Sequence, residues 1–312
     1  MIKVLSLFSG IGAFEKALKR VGIDYELVNY CEIDKYASKS YSKIHNVSED
    51  LNLWDITTVD TNKLQRNIDL LTHGSPCQDF SLAGKQAGGD RDSGTRSSLM
   101  YETIRIVKDI KPKIIVWENV KNVLSKKHKH NFDAYTESLN ELGYNNYYRV
   151  LNATDYGIPQ NRERIFVVSI RSDIDFRNFE FSKVKPLNKT FIDMLENDVD
   201  KKFYMSQKCI EKMKRFMPNE CDLNICPTLT TELAHGTGKN LYPKIYKIFV
   251  QSNITPRILT PKECFRLMGF DDEDFERAEK VCSNTQLYKQ TDNSIVVNVL
   301  ETIFDCLKPY LT

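Results

Sequence analysis

Ile68-Asp69-Leu70-Leu71-Thr72-His73-Gly74-Ser75-Pro76-Cys77-Gln78-Asp79-Phe80 runs an apolar segment into a turn that carries a single thiol. A second short run, Ile114-Ile115-Val116-Trp117, ends in Glu118-Asn119-Val120. As parallel strands, the two runs bring Cys77 and Glu118 out at the same carboxyl-end edge of a sheet, where open α/β folds bind ligands. A nucleophile facing an acid there points to covalent catalysis on an electron-poor ring or carbonyl. The plain alternative for Cys77 is a buried, inert thiol, which a Pro-Cys-Gln turn beyond a strand end disfavours.

Upstream, Val4-Leu5-Ser6-Leu7-Phe8 reads as a buried first strand broken by Ser9-Gly10-Ile11-Gly12. A helical pattern through Phe14, Ala17, Leu18 and Val21 closes at Gly22. Residues 25–30 form a second strand ending at Cys31-Glu32-Ile33-Asp34, with Asp34 placed to cap a helix that reaches about His45. After the strand near 68–72 come a helix over about 97–110, the strand 114–117, a helix over about 131–142, and strands over about 147–151 and 165–170. This alternation predicts an α/β fold, a parallel sheet with helices on both faces. Past about residue 184 the periodicity weakens, and Pro227-Thr228-Leu229-Thr230-Thr231 leads into His235-Gly236-Thr237-Gly238-Lys239. Residues 185–282 are expected to form a smaller, loop-rich domain and residues 1–184 with 283–312 the larger one, the apolar tail from Ser294 returning to it as a helix.

Hydrophobic residues make up 41% of the 312 residues and charged residues 28%, ordinary for a soluble enzyme. No apolar run nears the roughly 20 residues of a membrane span, and the N-terminus lacks a signal-peptide pattern, so a cytoplasmic protein is expected. A net charge of +2 sets up no global basic field. A polyanion would be met by local clusters such as Lys126-Lys127-His128-Lys129-His130, or Lys239 with Lys244 and Lys247, each of which reads plainly as a solvated loop. The eight cysteines form no CxxC pair and the five histidines are scattered, so reduced thiols and no metal are expected.

Gly10-Ile11-Gly12 opens like a GxGxxG fingerprint, but Glu15 holds the third glycine position. The loop therefore suits a nucleoside cofactor without phosphates, S-adenosylmethionine being the common example, better than a dinucleotide. Glu32 lies roughly 20 residues past Gly10, where such folds place the acid that binds a ribose diol. Asp55, after Leu53-Trp54 at the end of an expected third strand, would accept from an adenine amine. A tight structural turn is the alternative for the two glycines, and core filling the alternative for Phe8 and Leu99 as base contacts.

Seven ordered blocks together resemble the cytosine-5 DNA methyltransferases of bacterial restriction–modification systems. They are Leu7-Phe8-Ser9-Gly10-Ile11-Gly12-Ala13-Phe14, Cys31-Glu32-Ile33-Asp34-Lys35-Tyr36-Ala37, Gly74-Ser75-Pro76-Cys77-Gln78-Asp79-Phe80-Ser81, Trp117-Glu118-Asn119-Val120, Tyr156-Gly157-Ile158-Pro159-Gln160-Asn161-Arg162-Glu163-Arg164, Arg257-Ile258-Leu259-Thr260-Pro261-Lys262-Glu263-Cys264 and Gln290-Thr291-Asp292-Asn293-Ser294. They span nearly the whole chain apart from about 185–255. In the last block Asp292 stands where the family usually has glycine. If that position needs a positive φ, aspartate is strained there and cofactor affinity is in doubt.

The resemblance implies a Rossmann-like S-adenosylmethionine-dependent methyltransferase sheet with a small target-recognition domain. It implies methyl transfer from S-adenosyl-L-methionine, leaving S-adenosyl-L-homocysteine, to C5 of a cytosine flipped out of a short duplex DNA site. Cys77 would add to C6, protonated Glu118 would hydrogen-bond N3 and the exocyclic amine, and Asn119 would help position that carboxyl. Arg164 would contact O2 and Arg162 support the active-site loop. Only one of these two arginines is expected to face the pocket, and a salt bridge with Glu163 is the plain alternative. Cofactor contacts fall to Phe8, Ser9, Gly10, Gly12, Glu32 and Ile33, then to Asp55, Pro76, Leu99, Asn293 and Ser294. Residues 82–96, rich in Gly, Asp and Arg, are expected to close over the flipped base as a mobile loop. Ser81, Lys85, Arg91 and Arg96 would meet phosphates; Thr230, Thr231, Gly236, Thr237 and Gly238 would touch DNA from the smaller domain. A monomer is expected; the sequence leaves open whether a cognate restriction endonuclease acts separately alongside it. A tRNA cytosine methyltransferase and a catalytically silent DNA-binding relative are the competing readings, Asp292 being the one residue that favours the last.

Overall fold

β1 (Ile2–Leu7), β2 (Tyr25–Cys31), β3 (Leu70–His73), β4 (Ile114–Val120), β5 (Tyr144–Asn152) and β7 (Glu163–Arg171) pair into one sheet in the order β2-β1-β3-β4-β7-β5. The short strands β6 (Gln160–Asn161) and β8 (Cys226–Pro227) pair with each other. The computed structural model describes residues 1–81, 86–174, 179–181, 184–230 and 241–311. Residues two apart on a strand share a face, and the central strands divide their apolar side chains accordingly. Val4, Leu70, Ile114, Val116, Phe166 and Val168 enter one core, while Leu5, Leu71, Ile115, Trp117, Ile165 and Val167 enter the other. Strands buried on both faces explain why these segments read as unbroken apolar runs.

The helices α1 (Ala13–Arg20), α2 (Lys35–His45), α3 (Met100–Ile110) and α4 (Lys129–Glu141) lie among these strands in the chain. Asp34 caps α2, its carboxylate accepting from the Tyr36 N–H. Beyond them come α5 (Gln207–Phe216), α6 (Tyr242–Gln251), α7 (Pro261–Leu267), α8 (Asp272–Glu279), α9 (Asn284–Asp292) and α10 (Val297–Leu311). The terminal helix α10 packs on α1, with Phe304 and Phe14 6.4 Å apart between ring centroids and Lys308 donating to the Val21 carbonyl at 2.7 Å.

Two expectations are corrected. The sheet is mixed: β7 runs antiparallel to both β4 and β5. A parallel neighbour needs a crossover of a dozen residues or more, and the link from Asn152 to Glu163 carries no helix of that kind, so the chain folds back antiparallel. No strand ends at Asp55 either. Only an isolated bridge joins Tyr30 to Asn52, and Trp54 holds φ at 59°, which an extended strand cannot accommodate.

Among residues 185–282, one buried ion pair organises the start of α7. Arg257 donates to Glu263 at 2.8 and 2.5 Å, and the same carboxylate accepts from the Thr260 and Glu196 N–H groups, each at 2.8 Å. Thr260 completes a capping box on Glu263. Removing one partner strands the other charge in the core. Glu263→Ala is therefore expected to lower stability by about 3–5 kcal/mol, measured from urea unfolding midpoints at constant m-value. A loss under about 1 kcal/mol, the size of an exposed pair, would contradict this account.

Candidate active site

Register alone gathers the site. Leu7 pairs with Cys31 on one side and His73 on the other, and His73 pairs with Trp117. The segments after β2, β1 and β3, together with Glu118 at the end of β4, therefore emerge side by side. Between β1 and β3 the strand order reverses direction, and such a switch point leaves a crevice at the carboxyl ends.

Cys77 is free and partly exposed in the turn after β3, its carbonyl accepting from the Phe80 and Ser81 N–H groups at 3.0 and 2.8 Å. Phe80 is fully buried and anchors the far side, its carbonyl accepting from Asn122 at 2.6 Å. The near side hangs on Ser75, which sequence reasoning missed. Trp117 Nε1 donates to the Ser75 hydroxyl at 2.9 Å, and Asn119 Nδ2 donates to the Ser75 carbonyl and hydroxyl at 3.2 and 3.3 Å. Residues 117 and 119 share one face of β4, so the residue between them is thrown to the other. Glu118 accordingly reaches past Gly74, where an added Cβ would lie 3.7 Å from its Oε2. The Asn119 amide thus holds the cysteine turn, its oxygen accepting from the Val120 N–H at 2.8 Å.

Arg164, opposite Val120, sets its Nε 3.2 Å from Glu118 Oε1. Burial raises the Glu118 carboxyl above the ordinary range, and the Arg164 and Arg162 charges only partly offset it. The Cys77 thiol is likewise raised by burial, with Arg164 pulling it back down and Glu118 pushing it further up. Both guanidiniums therefore act on the same pair, although only Arg164 contacts the Glu118 carboxyl. Nor does the Glu163 carboxylate pair with either guanidinium; it bridges to Lys121 at 2.9 Å, while the Glu163 carbonyl accepts from Arg164 Nη1 at 2.8 Å. Arg162 is buried and donates to the carbonyls of Leu229 at 3.3 Å, Asp292 at 2.8 Å and Ser294 at 3.0 Å. Burial and the neighbouring Arg164 pull its guanidinium down to about 10, so it stays charged at neutral pH.

On the other side of the crevice, Phe8, Gly10 and Gly12 take φ values of 51°, 56° and 82°. The Gly12 turn has no room for a side chain, since a Cβ would strike His45, whose Nε2 lies 3.1 Å from the Ile11 carbonyl oxygen. At Gly10 a Cβ would meet nothing within 4 Å, so the loop faces open space. Glu32 is aimed by two backbone amides, Gly10 N–H at 2.9 Å and Asp34 N–H at 2.7 Å, and Ser9 ties the loop to the Ser6 carbonyl at 3.0 Å. An acid at a strand end, a glycine turn open to solvent and partly exposed Phe8 with exposed Ile33 fit the ribose and base of a nucleoside cofactor. Asn52, also missed from sequence, binds both the N–H and the carbonyl of Glu32 at 3.0 Å.

The remaining candidates lie as follows. Asp55 caps the short helix Ile56–Thr58, its Oδ1 accepting from Thr57 N–H and Oγ1–H. Leu99 closes the turn before α3 and Pro76 precedes the cysteine, both partly buried. Asn293 is exposed and Ser294 buried just past α9. Asp292 lies in helical backbone as the last residue of α9, so the positive-φ penalty does not arise there. Arg91 and Arg96 are exposed on the segment before α3, Arg91 stacking on the Tyr101 ring at 4.9 Å. Thr230 is partly buried beside Leu229, whose N–H donates to Gln160 Oε1 at 3.1 Å. Lys85, Thr231, Gly236, Thr237 and Gly238 lie outside the described residues, as do residues 82–84 of the expected closing loop. Among the described residues no three His, Cys, Asp or Glu side chains gather as for a metal ion.

A soft nucleophile open to the crevice, a carboxyl biased toward its protonated form and a fixed cation beside both form a device for adding sulfur to an electron-poor double bond. Comparison with known proteins bears on which one. A family model described as C-5 cytosine-specific DNA methylase matches residues 2–308. Type II methyltransferase M2.ScrFI of Lactococcus lactis subsp. cremoris is 35% identical, over 97% of this chain and 98% of that protein. Orphan methyltransferase M.SPRI of Bacillus phage SPR is 32% identical over 97% and 96%. The Dnmt2 methyltransferase of S. pombe shares the fold with a TM-score of 0.77 across 100% of both chains at 22% identity.

The electrostatics predict how Cys77 responds to pH. Alkylation by iodoacetamide, followed on the peptide carrying Cys77, is expected to accelerate with pH through a midpoint above that of free cysteine. Arg164→Met removes the charge that lowers the thiol and moves the midpoint further up; Glu118→Gln moves it down. The opposite order for the two variants would refute this assignment of causes.

Proposed function

The chain belongs to the C-5 cytosine-specific DNA methylase family and is a DNA (cytosine-5-)-methyltransferase, and we propose that it acts on a short duplex site by covalent catalysis through Cys77. The observation that carries this reading is the register that sets the partly exposed Cys77 turn beside Glu118, with Arg164 3.2 Å from that carboxyl. A cytosine stacked in a duplex hides C6, so the base must leave the helix, at roughly a few kcal/mol for unpairing and unstacking.

In the proposed sequence the Cys77 thiolate forms a bond to C6 and the C5=C6 π electrons move toward C5 and the ring. Glu118 hydrogen-bonds N3 and the exocyclic amine and supplies the proton that offsets the developing charge; Arg164 holds that carboxyl and meets O2. S-adenosylmethionine, when bound, would supply an electrophilic methyl group to C5, its sulfonium carbon–sulfur bond breaking to leave S-adenosylhomocysteine. It would be held by the Phe8–Gly12 loop, Glu32 and Ile33, with Pro76, Leu99 and Ser294 along the crevice. Water or hydroxide then takes the C5 proton, the C5=C6 bond reforms, N3 returns its proton to Glu118 and the sulfur leaves as thiolate. Arg162 keeps the cysteine crevice joined to residues 229 and 292–294. Arg91 and Arg96 are proposed phosphate contacts, which position a duplex without reading it. The larger catalytic and smaller recognition domains expected from the sequence, a monomeric state, a cytoplasmic setting and a separately acting restriction endonuclease belong to the same proposal.

Incubation with labelled S-adenosylmethionine and either plasmid DNA or tRNA is expected to label DNA alone, at C5 of cytosine. Cys77→Ala should lose methyl transfer by at least about a thousandfold while still binding duplex DNA. Duplexes with 5-fluorocytosine at the target should trap a denaturation-resistant adduct, because the proton lost from C5 is replaced. Near-wild-type turnover by Cys77→Ala, or label in tRNA instead of DNA, would overturn the reading.

A further inference from the structure

Trp54 combines strain with exposure. Its φ of 59° lies in the left-handed region, where a bulky side chain is an outlier. Hydrogen bonds on every side hold it there. Its N–H donates to Asn52 Oδ1 at 2.9 Å, its carbonyl accepts the Cys31 thiol at 3.0 Å, and the Leu53 N–H before it donates to the Tyr30 carbonyl at 2.7 Å. Strain that the surroundings over-determine in this way clusters at ligand clamps. The Asn52 side chain that holds Trp54 also holds Glu32, accepting from its N–H at 3.0 Å, so the two residues move as one unit.

Trp54 is 43% exposed, and Ile33, next in chain to Glu32, is 70% exposed. Two large apolar residues thus stand open to solvent on the two segments that Asn52 joins at the end of β2. Among the described residues the Trp54 ring makes no ring contact and its Nε1 no hydrogen bond. The chain's only other tryptophan, Trp117, is 1% exposed and bonded to Ser75. The backbone is therefore bent, at a cost in strain, at a residue whose aromatic side chain stays partly open to solvent. A planar heteroaromatic ring above a ribose bound to Glu32 is the chemistry that face suits, since every purine offers a π-surface.

We propose that Trp54 is a further cofactor-binding residue, its indole covering the purine of the nucleoside whose ribose Glu32 holds. The inference rests on the cofactor reading above. It is tested with S-adenosylhomocysteine, by calorimetry and by tryptophan emission. Binding to the wild type is expected to quench the exposed indole while Trp117 stays silent. Trp54→Gly suits the left-handed backbone, so it should keep or raise the melting temperature while weakening the ligand about tenfold. Trp54→Phe keeps a ring and should retain most of the affinity. An unquenched wild type that nevertheless binds, or a Trp54→Gly affinity equal to the wild type's, overturns the role of Trp54 alone. Quenching by duplex DNA in place of the nucleoside overturns it as well. Failure of the wild type to bind S-adenosylhomocysteine brings down the cofactor reading and this inference with it.

Discussion

Ser75 receives hydrogen bonds from two side chains of the neighbouring strand, Trp117 at 2.9 Å and Asn119 at 3.2 and 3.3 Å, and the geometry of the catalytic edge depends on that brace. A turn after a strand is free to pivot unless its polar groups are satisfied against something rigid. Here the rigid body is β4, locked between β3 and β7, with Trp117 itself packed against Tyr135 at 4.3 Å between ring centroids. Because the donors at 117 and 119 flank Glu118, the contact that fixes the sulfur's backbone also fixes the direction of the acid. Pre-organisation of this kind spares the reaction the entropy of bringing the two groups together.

Burial and charge are balanced on that edge. Desolvation lifts both the Cys77 thiol and the Glu118 carboxyl. For the acid this is useful, since a proton retained near neutral pH is one it can share. For the sulfur it is opposed by Arg164, whose charge favours the thiolate. Arg162 carries its charge into the interior and spends its N–H groups on three carbonyls from two other segments. A cation is thus also the tie that holds residues 229 and 292–294 to the catalytic edge. Asp292 adds a carboxyl near the same cluster, itself raised by burial against the pull of Arg162 and Arg164.

The cofactor side is built on backbone. Positive φ at Phe8, Gly10 and Gly12 curls the first loop, and two of its neighbours' amides, not side chains, aim Glu32. Asn52 then joins the ends of β2 and the following segment through four hydrogen bonds, to Glu32 twice, to Trp54 and to Ser38. The adjoining region around α7 depends on a different buried interaction, the Arg257–Glu263 pair, so the two parts of the molecule hold their shapes by separate means.

Much of this was legible in the residues themselves. Short apolar runs such as Leu70-Leu71 and Ile114-Ile115-Val116-Trp117 announce strands covered on both faces, Asp34 announces a helix start, and Cys77 and Glu118 follow their strands closely enough to be assigned to one edge. Local chemistry determines such features, because periodicity and capping act within a few residues. Folding decided the rest. The reversal of β7 follows from a connection with no crossover helix, and the approach of Arg164 to Glu118 from the register of β7 on β4. Asp55 became a cap because Trp54 bends the chain, and Asp292 escaped strain because α9 extends through it. Asn52 lies in no motif, and the motifs that hold Ser75 and Gln160 do not show what those residues bind; each matters through partners distant in the chain, and a hydrogen bond between distant residues exists only once tertiary packing has brought donor and acceptor together.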